Sequence, residues 1–386
     1  MRRYIAILAG ALCMAPGVLH AQFDFHVDGR DVEVHSFAQQ GFVYSSANNF
    51  LTMDTSSGSF GMTDFGANIS TKITDKFRVG AQIFDYNLGA LGNWKPQLDW
   101  AFGDYKFNSY FGVRAGKVKT PIGLFNDVQD VDVLFPWALL PESVYPPDLR
   151  AFHLAHVGFV AYGGFGLPAK AGSVSWQGYA GLRTLDQDGG IVLAYEQSGT
   201  ILGHTSGPTI GADIRWNTPV TGLFLGASYA KTELNSPAAV TDDVPGAVKD
   251  KYDTQDFYAD FEKGRLKLDV EATIEPSWLR FGNEAFVYNP SRIWYVMGAW
   301  HFTRKFTGGS YYSRDFSFDG DRDRSNPANY SKELALTGRY DFSHHIYVKL
   351  EGHYIDGTGD GFYTGDNPRG LDRVSKILIA KIGYAF

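Results

Sequence analysis

The 386-residue chain carries 35 Lys and Arg against 42 Asp and Glu, a formal net charge of −7, together with 44 Gly, 29 Phe, 22 Tyr and 8 Trp. The acidic balance argues against nucleic acid as a partner, which asks for a basic footprint. A single cysteine, Cys13, excludes a disulfide framework and a thiolate zinc site, and the lack of any run of ~18 apolar residues beyond the first 21 excludes a helical membrane protein.

The chain opens MRRYIAILAGALCMAPGVLHAQ. Arg2 and Arg3 form a positive leading region, Tyr4 to Met14 a short apolar core, and Ala21 a small residue before a cut, the layout of a secretory signal peptide over 1–21. Leu12 stands where a lipoprotein signal wants a small residue, so Cys13 is not read as an acylation site. Cleavage after Ala21 leaves 386 − 21 = 365 residues and, with Arg2 and Arg3 gone, 33 basic against 42 acidic groups, a net −9.

From residue 22 onward, period-two alternation recurs at regular intervals, the pattern of strands with one apolar and one polar face. In chain order, clear cases are Phe65, Ala67 and Ile69; Val174, Trp176 and Ala180; Ile210, Ala212 and Ile214; Leu266, Leu268 and Val270; Leu334 and Leu336; and Ile346, Val348 and Leu350. Weaker segments at 31–45, 154–165, 292–303 and 306–316 fill the spacing, giving sixteen strands. Seven connections are short: 74–76, 103–104, 166–172, 218–222, 262–264, 303–305 and 343–345. Eight are longer: 46–61, 87–95, 120–153, 185–207, 234–252, 277–291, 317–331 and 357–373. Strict alternation of short and long is the layout of an all-β transmembrane antiparallel β-barrel with tight periplasmic turns and long outer loops. Phe77, Phe102, Trp216, Phe302, Phe306, Phe342 and Phe386 fall beside the short connections and predict an interfacial girdle. The chain stops inside an alternating strand, KILIAKIGYAF, as expected if the last strand closes on the first and leaves no edge. With its alternating apolar residues, the ending with Tyr384 and Phe386 resembles the signal read by the barrel assembly machinery in Gram-negative bacteria.

Residues 110–132, YFGVRAGKVKTPIGLFNDVQDVD, run from a strand through a basic Gly-rich stretch to a Pro-Gly break and a long loop. In this the chain resembles the sixteen-stranded outer-membrane porins, and loosely the phosphate-selective porin O and P group. The resemblance implies a third loop folded into the lumen, a homotrimer, outer-membrane lipid around the barrel, and small hydrophilic solutes as cargo. Phosphate-selective members line the lumen with a basic array, which this sequence lacks. An anion- or phosphate-selective channel, or an adhesin or receptor barrel, therefore stands as the alternative.

The function expected is passive diffusion, without catalysis and without a cofactor. The inward positions are near-balanced in charge: Arg78, Arg183, Arg215, Arg265, Lys267, Arg339, Lys349 and Lys381 against carboxylates that include Glu271 and Glu351. In the 120–153 loop, PWALLPES is apolar enough to pack on the inner wall and to form one helical turn between its prolines. Asp127, Asp130, Asp132 and Glu142 then face the channel, opposite Arg114, Lys117, Lys119 or Arg150, and set a transverse field at a constriction; the alternative is a loop folded over the mouth as a lid. Asp319, Asp321 and Asp323 form a D-x-D-x-D pattern without the Glu that a calcium loop needs at its twelfth position, so no metal site is expected.

Overall fold

The computed structural model describes residues 23–27, 30–240, 244–316 and 325–386, with the backbone alone described at 23–27, 238–240 and 244–245. The expected leader and the 319–323 acidic pattern lie outside the described residues. Eighteen strands are present among them. They are β1 (Phe23–Val27), β2 (Arg30–Ser45), β3 (Ser59–Thr74), β4 (Phe77–Leu88), β5 (Gln97–Asn108) and β6 (Phe111–Lys119). There follow β7 (Ala155–Gly166), β8 (Ser173–Thr184), β9 (Thr200–Leu202), β10 (Ser206–Asn217), β11 (Leu223–Val240) and β12 (Val244–Lys263). The last six are β13 (Leu266–Phe281), β14 (Val287–His301), β15 (Phe306–Phe316), β16 (Tyr330–Asp341), β17 (Ile346–Gly357) and β18 (Val374–Ala385).

All pairings are antiparallel, and sixteen strands close into a ring in which β8 pairs β10 and β18 pairs β2. The two remaining strands are accessory: β1 folds back on β2, and β9 pairs the upper end of β11. The closing seam runs from Ile377 opposite Ser45 to Ala385 opposite Phe37. It is finished by Phe386 and Ser36, whose backbones exchange N–H···O bonds of 2.9 Å in both directions. Closure pairs each strand of the ring on both sides, which is what a sheet needs in a medium that offers no hydrogen bonds.

The pleat sends alternate residues to opposite media. On β13, Leu268 and Val270 are 40% and 41% exposed on the outer surface, whereas Asp269 and Glu271 between them are 2% and 0% exposed toward the interior. The outer surface is an apolar band, and Trp216, Phe302, Phe306 and Phe342 stand exposed near the short-turn rim. Phe102 departs from this girdle. Gln82 faces Trp100 and Ile83 faces Leu98, so Asp99 is an extra residue in β5. The bulge shifts the parity of the strand beyond it. Phe102 is thereby turned inward, beneath the guanidinium groups of Arg78 (5.3 Å) and Arg114 (4.8 Å).

Three expected connections differ. Residues 103–104 lie inside β5, and the turn falls at Ser109–Tyr110 instead. Most of 234–252 and 277–291 is strand, because β11, β12 and β13 are 18, 20 and 16 residues long and extend their hairpins past the membrane span. The connection 185–205 holds an unforeseen helix, α2 (Gly190–Gln197). It is ended by Gly199 at φ +85°, the left-handed position that favours glycine after a helix.

Candidate functional site: a loop fastened across the lumen

Residues 120–154 leave the wall after β6 and return to it at β7. Between those ends they fold inside the barrel, and side chains from three sectors of the wall hold them. The first sector is β10–β14. Gly123 donates its N–H to Ser228 Oγ at 2.9 Å, and Arg215 reaches the Gly123 carbonyl at 3.3 Å. Glu271 accepts from the Leu124 N–H at 3.0 Å, from Tyr145 Oη at 2.6 Å and from Tyr295 Oη at 2.7 Å. Gly123 sits at φ +65°, and a Cβ there would come within 2.4 Å of Glu271 Oε1. The Pro-Gly break thus needs a glycine both for its backbone and for the approach of this carboxylate.

The second sector is β16–β18. Lys349 Nζ donates to Asp132 Oδ2 (2.6 Å), to the Asp132 carbonyl (2.9 Å) and to the Trp137 carbonyl (2.7 Å). Lys381 adds a bond to Asp132 Oδ1 at 3.1 Å, and Tyr347 Oη one to Oδ2 at 2.8 Å. Arg339 donates to the carbonyls of Val133 and Phe135, and Thr337 to that of Pro136. Glu351 accepts from the N–H groups of Ala138 (2.9 Å) and Leu139 (3.1 Å), and is itself oriented by His353 at 3.1 Å. Trp137 packs edge-on against Tyr311 at 5.2 Å.

This explains why PWALLPES is not helical. The short helical pieces are 3-10 turns at Asp132–Leu134 and Pro147–Leu149 and one α-turn, α1 (Arg150–His153). Between them, the wall supplies the partners that the backbone would otherwise find in a helix.

The third sector is β4–β6. Lys119 pairs with Asp130 at 2.6 Å, and Gln82 donates to both Asp130 and Asp99 at 2.8 Å. Arg150 grips Asp99 with two bonds of 3.1 and 2.7 Å, and its guanidinium lies 3.8 Å above the Phe84 ring.

The expected array of channel-facing charges is corrected accordingly. Asp130 and Asp132 are fastening groups. Burial alone would raise both carboxyls. Lys349 and Lys381 nevertheless hold Asp132 down at about 2, and Lys119 and Arg150 hold Asp130 below its ordinary value. Burial raises Asp127, with Arg215 and Lys119 opposing it. Arg114 turns to Asp104 at 3.4 Å, together with Arg78 at 3.5 Å and Tyr162 Oη at 2.6 Å. Lys117 caps the Leu98 carbonyl at 2.6 Å. Arg183 donates to the Phe152 carbonyl, and Lys267 pairs with Asp260 at 3.3 Å. Arg265 is exposed at the β12–β13 turn and is not on the inner wall. Long-range partnering of this kind carries no sequence signal: alternation places Asp99 and His353 on the inner face without naming their partners, and no pattern in the chain marks Asp104 and Tyr145 as members of the site.

Glu142 has a different setting. With Asp148 it lines a cavity of about 600 Å³ between the loop, α2, the inner wall at β12–β15 and the loop 358–373. Asp256, Glu275, Asp315 and Asp360 also reach this cavity, and among the described residues no Lys or Arg lines it. Burial, then Asp148, Asp360 and Glu333, push the Glu142 carboxyl well above its ordinary range. Burial also raises Asp148, although Tyr363 Oη donates to it. His153 on the same lining is pushed down to about 3 by burial and by Arg183. It is neutral at physiological pH and does not offset the carboxylates.

No family model matches the chain, and no curated protein matches it in sequence. Solved structures do match over nearly the whole length. Outer-membrane-expressed OmpT of Vibrio cholerae superposes with a TM-score of 0.59 at 12% identity, over 94% of this chain and 100% of that one. OmpF of Salmonella typhi in complex with daunomycin gives 0.59 at 11% identity, over 94% and 100%. The anion-selective porin of Comamonas acidovorans gives 0.56 at 10% identity, over 92% and 100%. The fold is that of the outer-membrane porins. At these identities the likeness is one of architecture.

Proposed function

We propose that the chain is an outer-membrane porin, a water-filled passage through which small hydrophilic solutes diffuse without catalysis. The observation that carries this reading is the loop 120–154, fastened inside a closed sixteen-stranded ring by buried side chains from three sectors of its wall. A barrel of this strand number is wide enough for an aqueous channel. A loop anchored across it narrows that channel, and a cavity of about 600 Å³ lies beside the loop. Selectivity then lies in the field along the narrowed passage, where fixed charges sort solutes.

In this reading residues 1–21 direct export, Tyr384 and Phe386 present the closing strand to the assembly machinery, and three copies associate in the membrane. An OmpT of Vibrio cholerae among the similar structures is described as a trimer form. The experiment is direct. The purified, refolded chain is added to a planar bilayer, and single-channel steps in potassium chloride are expected. A correctly folded barrel that yields no conductance steps would overturn the porin reading and favour the adhesin or receptor barrel.

A further inference from the structure

The outer surface carries a basic patch above its apolar band. On β12 the outward positions read Phe261, Ala259 and Phe257, then Gln255, Asp253, Lys251 and Lys249. Lys249 and Lys251 alternate with Val248 and Asp250, which are buried on the inner face. At about 3.3 Å per residue and a tilt of about 40°, Lys251 lies ~25 Å above Phe261, the height of a membrane barrel's apolar band. Trp278 on β13 faces Lys251, and its ring meets that of Tyr288 at 5.4 Å, an aromatic pair of the kind that marks a membrane interface. Just beyond, Lys249 and Arg280 stand directly opposite each other, and like charges so placed repel. With Lys251 and Phe286 they line a groove of about 230 Å³, whose one carboxylate among the described residues is Glu233. Glu233 is shared between Lys251 at 3.8 Å and Lys231 at 4.0 Å. The Phe286 ring holds the other two sides together, 5.2 Å from Lys251 Nζ and 4.8 Å from the Arg280 guanidinium. Lower on the same face, Arg314 on β15 is directly opposite Lys332 on β16, a second like-charged pair, of which Lys332 also meets Asp356 at 3.3 Å.

We propose that the groove of Lys249, Lys251 and Arg280 binds a phosphorylated glycolipid of the outer leaflet through an anionic group on its saccharide, with Arg314 and Lys332 beneath it facing the phosphates nearest the acyl chains. The site is independent of the channel reading and requires only the barrel's place in the membrane.

Two observations choose this occupant. The cations stand at two depths. The paired row through Arg314 crosses Trp294 and Ala272, so Arg280 lies on the order of 20 Å further out on β13. A glycerophospholipid carries its phosphate at one depth, whereas a phosphorylated saccharide repeats its anions outward from the acyl chains. The charge is also confined to one sector of the ring. At a comparable distance from the short-turn rim, β7, β8 and β10 turn Ala155, Thr184 and Pro208 outward, none of them charged. The patch lies on the lipid side of the wall, where a solute crossing the lumen does not meet it. A cation close to an anionic membrane surface gains from the attraction, and a cluster of them on one face selects a polyanionic headgroup over a singly charged one.

The test uses the full refolded chain in detergent, with native mass spectrometry counting bound lipid. The probe is lipid A bearing its phosphates and inner-core sugars. Saturable binding is expected. The double variant Lys249→Gln, Arg280→Gln should weaken it about tenfold or more, because each cation near an anionic lipid adds to the attraction. Lys263→Gln, Arg265→Gln makes the same change of charge at the exposed β12–β13 turn on the opposite rim and should leave binding unchanged. No saturable binding, or an equal loss in both double variants, would overturn the proposal. Phosphatidylglycerol bound as tightly as the glycolipid would overturn the choice of occupant. If the groove variant does not fold, as read from its heat-induced gel shift, dephosphorylated probe on the unaltered chain takes its place, and binding as tight as that of the intact probe would overturn the site.

Discussion

Asp132 on the in-folded loop and Lys349 on β17 meet at 2.6 Å, with the lysine side chain wholly shielded from solvent. Lys349 spends all three of its N–H donors on the loop: one on the Asp132 carboxylate, one on the Asp132 carbonyl and one on that of Trp137. The pair therefore fixes both a side chain and the path of the backbone, and Lys381 closes the other side of the same carboxylate at 3.1 Å.

Lys349→Met should release this anchor. Breaking one half of a buried ion pair costs about 3–5 kcal/mol when the partner is left alone; here Lys381 and Tyr347 stay on the Asp132 carboxylate, so the loss falls below that range. The expected outcome is a lower temperature for the heat-induced gel-mobility shift and noisier single-channel current. Unchanged noise and an unchanged transition would mean that Arg339 and Glu351 hold the loop unaided.

The same pair fixes a pH dependence. Asp132 titrates at about 2 in the folded barrel, below its ordinary 3.8. A depressed carboxyl contributes stability that is present above the unfolded value and is lost as pH falls through the folded one. The contribution is about 2 kcal/mol at neutral pH, since each tenfold change in proton affinity is worth ~1.4 kcal/mol. Channel current should stay quiet from neutral pH down to about 4 and become unstable toward pH 2, as read from single-channel traces on one bilayer. A steady current at pH 2 would assign the anchoring to uncharged contacts.

Excising 128–145 and bridging the gap with a short Gly-Ser linker removes Asp130, Asp132 and the Val133–Leu139 segment that the wall grips. Conductance should rise several-fold, and liposome-swelling assays should admit larger sugars. The same exclusion limit as in the full chain would place the narrowest point elsewhere in the lumen.

Ion preference should follow the carboxylate cavity. Glu142 is raised by burial and faces Asp148, Asp360 and Glu333. Asp360 is raised by burial and faces Asp315, Glu333 and Asp148. Asp148 is raised by burial and bonded by Tyr363. Raised carboxyls keep their protons above the ordinary carboxylate range and release them as pH rises. Cation preference measured by reversal potential should therefore strengthen with rising pH, and it should fade as salt shortens the screening length below about 10 Å. In stability the sign is the reverse: the folded barrel holds these protons more tightly than the unfolded chain, so ionising them at higher pH weakens the fold. A strong anion preference at every pH would favour the anion-selective alternative.

Deleting Phe386 removes both backbone bonds to Ser36 and the ring that packs 5.9 Å from Tyr384 at the barrel seam. Assembled, heat-modifiable barrel should fall sharply while export of the chain continues, as read by fractionation. Normal barrel levels would show that the Ile377–Ala385 register closes the ring by itself.

By itself the sequence determined the barrel. Period-two alternation assigns each side chain to lipid or lumen with no knowledge of its neighbours, because the pleat is a local property of the backbone. Leu268 and Val270 could be placed outside, and Asp269 and Glu271 inside, from their spacing alone. The strand number, the alternation of short and long connections and the closing last strand follow from the same local rule.

Where local rules break, the sequence was silent. The bulge at Asp99 reverses the facing of Phe102, and pairing extends β11–β13 into expected loops. The tertiary structure alone decided what the inward charges do. Lys349 and Asp132 are separated by 217 residues, and Leu124 and Glu271 by 147. Only the curvature of the closed ring brings such pairs within about 3 Å, the reach of a hydrogen bond. Lys349, Lys381, Arg339, Arg215, Glu271 and Glu351, which read as part of a balanced pore lining, are thereby consumed in holding a loop. Glu142 and Asp148, in a cavity that no Lys or Arg among the described residues lines, are left with buried, unpartnered oxygens.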